Sequence, residues 1–277
     1  GEYNLSGGML NVGGDIVNGS GDSTLNIDGG TLNMTSATGG SIDVDIFSVG
    51  NNTGSTGSHN LNDTESLTSG LQFVGNYGTG TFTQSGGTNT VTGGFLSVGE
   101  ETGSVGTYSL NGTGSISAPE EWIGYSGSGT FNQSGGTNTI TNDLNMGTNV
   151  GSNGTYTLAG GTLDVGGNIV NGSGFSTLKI DGGTLNMTSA TGGSIDVDKF
   201  GVGYNSGSTG SYNLNDTETL TAGSEDIGRS GTGTFTQSGG TNTVSGSLDM
   251  GYSGGGDGTY NLSGTGILLA THETIGY

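Results

Sequence analysis

The sequence has no cysteine, a single proline, and only three basic residues among 277. Without cysteine there is no disulfide framework, so packing and backbone hydrogen bonds must hold the chain together. Proline would remove a donor from any ladder of paired strands, and the lone Pro119 is therefore expected at a turn. Three bases against 24 acids leave a formal net charge of −21. That balance excludes nucleic acid and anionic membrane surfaces as partners, because both are bound through lysine and arginine. No run approaches the roughly 18 apolar residues of a membrane helix, so membrane insertion by this segment is not expected. The opening GEYNLSGG also lacks the basic start and apolar middle of a signal peptide, so an export signal would lie outside it.

Charged residues are scarce as well, at 10%, and hydrophobic residues make up 28%. A globular core for this length would be thin, whereas a solenoid needs only a narrow apolar column shared by stacked coils. Glycine is what the chain has in excess, with 64 residues. Low-complexity disorder is excluded by strict alternation: TYTLAGGTLDV (155–165) sets Tyr156, Leu158, Leu163 and Val165 between polar neighbours, the period of a half-buried strand.

Repetition organises everything else. The run DGGTLNMTSATGGSIDVD begins at 28 and again at 181, a long period of 153 residues. A shorter motif inside it, T-aromatic-x-apolar followed by Gly-Gly, aligns Tyr3, Leu25, His59, Phe82, Tyr108, Phe131, Tyr156, Leu178, Tyr212, Phe235 and Tyr260 in one column. Two residues on, a second column on the same face reads Leu5, Ile27, Leu61, Gln84, Leu110, Gln133, Leu158, Ile180, Leu214, Gln237 and Leu262. A second strand follows the Gly-Gly, with Leu10 and Val12, or Asn89 and Val91, in matching slots. A third ends on an apolar residue before glycine, as in Val74-Gly75 and Ile227-Gly228. The expected fold is all-β: one continuous single-stranded parallel β-helix over 1–277, with about three short strands per coil and eleven coils. Copy one spans about 3–155 and a partial copy two about 156–277. Glycine serves the corners, where positive φ and close backbone approach are needed.

Several residues invite a functional reading. Gln84, Gln133 and Gln237, with Asn89, Asn138 and Asn242, occupy slots that hold apolar residues in other coils. Inward amides must be hydrogen-bonded, so a buried amide ladder is expected. Asp43 and Asp45, repeated as Asp196 and Asp198, alternate with apolar residues and should project outward about 7 Å apart. They read as a solvated acidic face. The alternative is a calcium site, since calcium takes six to eight oxygens, although no tandem GGxGxD or DxDxDG is present. No other cofactor is expected. His59 takes a slot that is Tyr212 one period later, which makes it a poor catalyst candidate. The pairs Glu120–Glu121 and Glu225–Asp226 resemble the carboxylates of a glycan hydrolase or lyase, but they read as exposed neighbours. With only Lys179, Lys199 and Arg229 to hold acidic sugar, an enzyme is not expected.

The runs GTGTFTQSGGTNTVTGGFLSVGEETGSVGTYSLNGTG (78–114) and GTGTFTQSGGTNTVSGSLDMGYSGGGDGTYNLSGTG (231–266) resemble the type V secretion and PEP-CTERM-associated repeat. That family occurs in autotransporter passengers and other exported bacterial surface proteins. The resemblance implies a β-helix located outside the cell or on its surface. Activity stays open, because one fold hosts many functions. The leading reading is an extracellular fibre or stalk module. An adhesin for surface glycans or other cells comes second, and a polysaccharide-active enzyme third. GEYNL and ETIGY both fall mid-coil. An uncapped coil exposes unpaired strand edges, so end-to-end self-association is expected.

Overall fold

The computed structural model describes residues 1–36, 39–190 and 192–276. Tyr277, the last residue of the ETIGY that the sequence places mid-coil, lies outside the described residues. Every regular element among them is a β-strand, and the strands stack in parallel as a β-solenoid of about 12 turns. One turn shows the local logic. Thr79–Gln84 and Thr88–Val91 alternate, while Phe95–Val98 buries Ser97 along with its inward pair; Phe82, Gln84, Asn89, Val91, Leu96 and Val98 point inward and are buried. Every strand is too short to bury its apolar face alone. Stacking supplies the cover, because in-register parallel strands put the same slot of each turn above its predecessor at about 4.8 Å.

Aromatic residues use that spacing directly. Phe82, Tyr108, Phe131 and Tyr156 pair in register, and successive rings lie 4.8, 4.7 and 4.7 Å apart with interplanar angles of 14°, 6° and 5°. The corners that close each turn fall on the glycines that follow an apolar residue. Gly75 has φ of 73°, and a Cβ there would sit 2.3 Å from the Val105 carbonyl oxygen. Two constraints, handedness of the backbone and contact with the next turn, thus select glycine together. Pro119 lies in the bend between Ser115–Ala118 and Glu120–Ile123, as expected of a residue without a donor.

The single column predicted from the motif is broken twice. Leu25 stacks under Phe47, not under His59, and Leu178 stacks under Phe200, not under Tyr212. The cause is an extra strand in each 34-residue coil. Ser41–Val49 carries two inward pairs, Ile42 with Val44 and Phe47 with Val49, separated by a corner at Asp45. Its first half lies on the bridge to Ile16 and its second half on residues 24–27. A four-strand coil on a three-sided stack advances the chain by one face, so the motif column resumes on a different side. Ser194–Val202 repeats the step. These added strands also explain why eleven motif copies make about 12 turns.

Most of the predicted core ladder is buried, from Leu5 through Phe82, Tyr108, Leu110, Phe131, Tyr156, Leu158, Tyr212 and Leu214 to Phe235. Tyr260 is partly buried. Tyr3 and Leu262 are corrections: they are 48% and 50% exposed. Their strands, Glu2–Val12 and Asp257–Leu262, each pair on one side only, so the inward slots there lack a second covering turn.

Candidate functional site

The predicted inward amides are buried, and they explain why Phe-x-Gln coils alternate with Tyr-x-Leu coils. Tyr108 Oη donates to Gln84 Oε1 at 2.6 Å. Gln84 Nε2 donates to the carbonyls of Gly87 and Ser115 at 3.2 and 3.0 Å. Asn89 Nδ2 donates to Tyr108 Oη at 3.0 Å and to Gln72 Oε1 at 2.9 Å. A tyrosine in the core needs an acceptor, and the glutamine of the coil before supplies it. The cluster recurs twice. Tyr156 donates to Gln133 at 2.5 Å and Tyr260 to Gln237 at 2.6 Å, with Asn138 and Asn242 beside them. The amides do not form one unbroken ladder, because Leu110 stacks between Gln84 and Gln133.

The fourth member of each cluster was misread. Glu121 and Glu225 are fully buried rather than exposed, and Asp226 beside Glu225 is buried as well, against Lys199. The two glutamates fill the slot that Gln72 fills in the first cluster: Asn138 Nδ2 donates to Glu121 Oε2, and Asn242 Nδ2 to Glu225 Oε2, each at 3.1 Å. The other carboxyl oxygen of each has no partner. Burial pushes Glu121 up to about 8 and Glu225 up to about 7, only partly opposed by the asparagine hydrogen bonds. At neutral pH Glu121 is therefore mainly an uncharged acid, close in shape to glutamine. Both carboxyls face the core, where no soluble polymer reaches them. The sequence did hold the signal, since aligning Glu121-Trp122-Ile123 with Leu96-Ser97-Val98 puts glutamate in an inward slot.

The acidic strands behave differently from a row of free carboxylates. Asp43 and Asp196 are exposed. Asp45, predicted outward beside Asp43, instead sits half-buried at the corner where the alternation changes phase. Its carboxylate accepts from Ser23 N at 2.7 Å, Asn18 Nδ2 at 3.0 Å and Ser23 Oγ at 3.1 Å. The Ser23 backbone bond and the Asn18 amide hold it below its ordinary range. The Asp198 carboxylate accepts from Ser176 N at 2.8 Å and from Ser176 Oγ at 3.3 Å. These two oxygen sets staple one turn to the next. Among the described residues no group of three or more His, Cys, Asp and Glu side chains is placed to hold a metal.

Sequence reasoning passed over a second pair of staples. Asp28 accepts from the backbone N–H groups of Asn51 and Asn52 at 2.6 and 3.0 Å and from Ser55 Oγ at 2.9 Å. Asp181 does the same for Tyr204, Asn205 and Ser208. The aspartate opening each DGG run thus fixes the corner loop of the following turn, and its position before the glycine pair was the available clue. His59 is buried against Phe47 and Phe82, and burial pulls it down to about 4, so it is neutral and apolar in effect.

The three basic residues of the chain converge on one ring. Lys179 Nζ, Lys199 Nζ and Arg229 Cζ lie 4.5, 5.1 and 4.9 Å from the Tyr204 centroid. Arg229 Nη1 also donates to Tyr204 Oη at 2.6 Å, and Lys199 pairs with Asp226 at 3.0 Å. The equivalent spot in copy one holds Asn26, Ile46 and Asn76, so this patch belongs to copy two alone. No protein-family model, curated protein or solved structure matches this chain.

Proposed function

We propose that the chain is a structural rod segment of an extracellular or cell-surface fibre or stalk, built by stacking coil on coil. The observation that carries this reading is the continuity of the core: buried side chains run from Leu5 to Leu248, with each inward slot stacked in register on the same slot of the neighbouring turn. Repetition at 153 residues supplies neighbours of matching shape, and the resemblance to exported surface repeats supports the location. End-to-end association makes a stiff rod whose ladders run along its axis, while the charge of −21 keeps rods apart laterally. Light scattering across concentration, with electron microscopy of the same samples, tests the assembly. Mass rising with concentration, and filaments of one width, are expected. A constant monomer mass with slow amide exchange in the terminal coils would overturn self-assembly of this segment.

An adhesin is the second reading, and the cation cluster on Tyr204 favours it as the one basic spot on an acidic rod. Binding of acidic glycans that is lost on Arg229→Ala would support it, and no glycan binding would remove it.

A further inference from the structure

One face of the solenoid is free of charge over five rungs. These are Thr56–Leu61, Thr79–Gln84, Val105–Leu110 and the first halves of Ser128–Ile140 and Asn153–Val165. Alternation sends every second side chain outward, and pairing in register makes Ser58, Thr81, Thr107, Thr130 and Thr155 the middle outward column. The columns on either side hold only threonine, serine and asparagine, apart from Val105. The chain has 24 acids, yet no outward position on these rungs is acidic or basic. Glu65, Glu100 and Asp143 lie instead at corners between strands.

The face is also flat and regular. The rings behind it, Phe82, Tyr108, Phe131 and Tyr156, turn by only 14°, 6° and 5° from one rung to the next. Outward side chains therefore repeat at about 4.8 Å along the axis and about 7 Å along each strand. Threonine is stiff at χ1, which favours one orientation of hydroxyl and methyl down a column. The five residues of the middle column are exposed or partly exposed. Among the described residues, the hydroxyls of Thr81, Thr107, Thr130 and Thr155 make no hydrogen bond with the protein, which leaves them to an outside partner.

We propose that this face binds ice. Water oxygens on a prism plane of ice repeat at close to the same two distances, so the hydroxyls, and the waters they order, join that lattice in register. A single hydroxyl hydrogen bond is worth little net of the water it replaces, and the face offers little apolar surface to bury. It therefore holds a small dissolved ligand poorly. It gains where the partner repeats with it, because many weak contacts then act together. Ice is such a partner, and it is uncharged like the face. No aromatic side chain points outward on these rungs for a sugar ring to stack on. The array restarts in copy two as Ser211, Thr234 and Thr259, so a rod lengthened by further repeats carries the face more than once.

The test uses the 277-residue chain, dilute enough to be a single chain by light scattering, so that its outcome does not depend on rod assembly. Ice is grown slowly from the solution on a cooled probe, and protein is assayed in the ice and in the residual liquid. Enrichment in the ice is expected, with slower coarsening of ice grains in a frozen film. Thr107→Lys and Thr130→Lys should each abolish both effects. Circular dichroism and Tm should stay unchanged, since Lys179 already fills an outward slot on the next rung. Asn145→Lys, outward on the third-strand face, should leave ice binding intact. Exclusion of the folded protein from ice would overturn the proposal. Equal loss on Asn145→Lys would overturn it too, by tracing the effect to added charge and not to this face. Retention on crystalline cellulose or chitin without uptake into ice would reassign the face to a polysaccharide. Dimers at every concentration tested, split by Thr130→Lys, would show that a second copy covers the face, and would likewise overturn the assignment to ice.

Discussion

Glu121 sets the behaviour of the molecule with pH more than any exposed acid does, because burial raises its carboxyl further above the ordinary value than it raises that of Glu225, the other carboxyl buried in these clusters. Its folded value is raised from 4.5 to about 8. The stability it contributes is therefore present in full below about pH 4.5 and is lost as pH rises toward 8, where the unfolded chain ionises and the folded one resists. The loss is on the order of a few kcal/mol. Glu225 adds a smaller loss in the same direction, ending near 7. Glu121→Gln, copying Gln72, should flatten this part of the curve, as read by denaturant unfolding at several pH values; an unchanged slope would refute burial of the neutral acid. Leu158 tests the alternation itself. It is fully buried, while Thr157 beside it is partly exposed. Leu158→Asp should cost several kcal/mol through an unpaired buried charge, and Thr157→Asp little. Equal shifts in Tm for the two would contradict the inward and outward assignment.

Strands here are interchangeable within a slot, and the corners between them are not. Gly75 and Gly103 both have positive φ, 73° and 83°, but a Cβ on Gly75 meets the Val105 carbonyl at 2.3 Å and one on Gly103 meets nothing within 4 Å. Gly103→Ala should therefore cost about 1–2 kcal/mol, the backbone term alone. Gly75→Ala should cost clearly more, since two adjacent turns must separate to admit the methyl group. Paired thermal unfolding curves separate the terms, and equal losses would show that backbone handedness alone governs the corner. The same view explains Ser41–Val49. Its two inward pairs make it two rungs of the stack, where the sequence comparison had treated the additional residues as part of one long coil.

About 12 turns at about 4.8 Å per turn make a rod on the order of 60 Å long. Along it the acidic residues serve two purposes. Asp28, Asp45, Asp181 and Asp198 hold neighbouring turns together through backbone N–H groups and serine hydroxyls, whereas Asp43 and Asp196 face solvent. Because the stapling carboxylates already have donors, the same Tm is expected in millimolar calcium and in chelator. A rise with calcium would show instead that Asp43 and Asp196 complete an ion site with water or a neighbouring chain.

Sequence alone determined the parallel β-solenoid, the period of 153 residues, the inward slots and the glycine corners. All of these are written in local alternation and its recurrence, and a period of two fixes which face a side chain takes wherever a strand is straight. The tertiary structure decided which coil lies on which. Motif spacing counted 34 residues as a single coil, but Ile42, Val44, Phe47 and Val49 fill two faces, and only pairing between distant strands reveals that Leu25 sits under Phe47. The buried Glu121 and the corner position of Asp45 depend on the same stacking, since burial and hydrogen-bond partners come from the turns above and below.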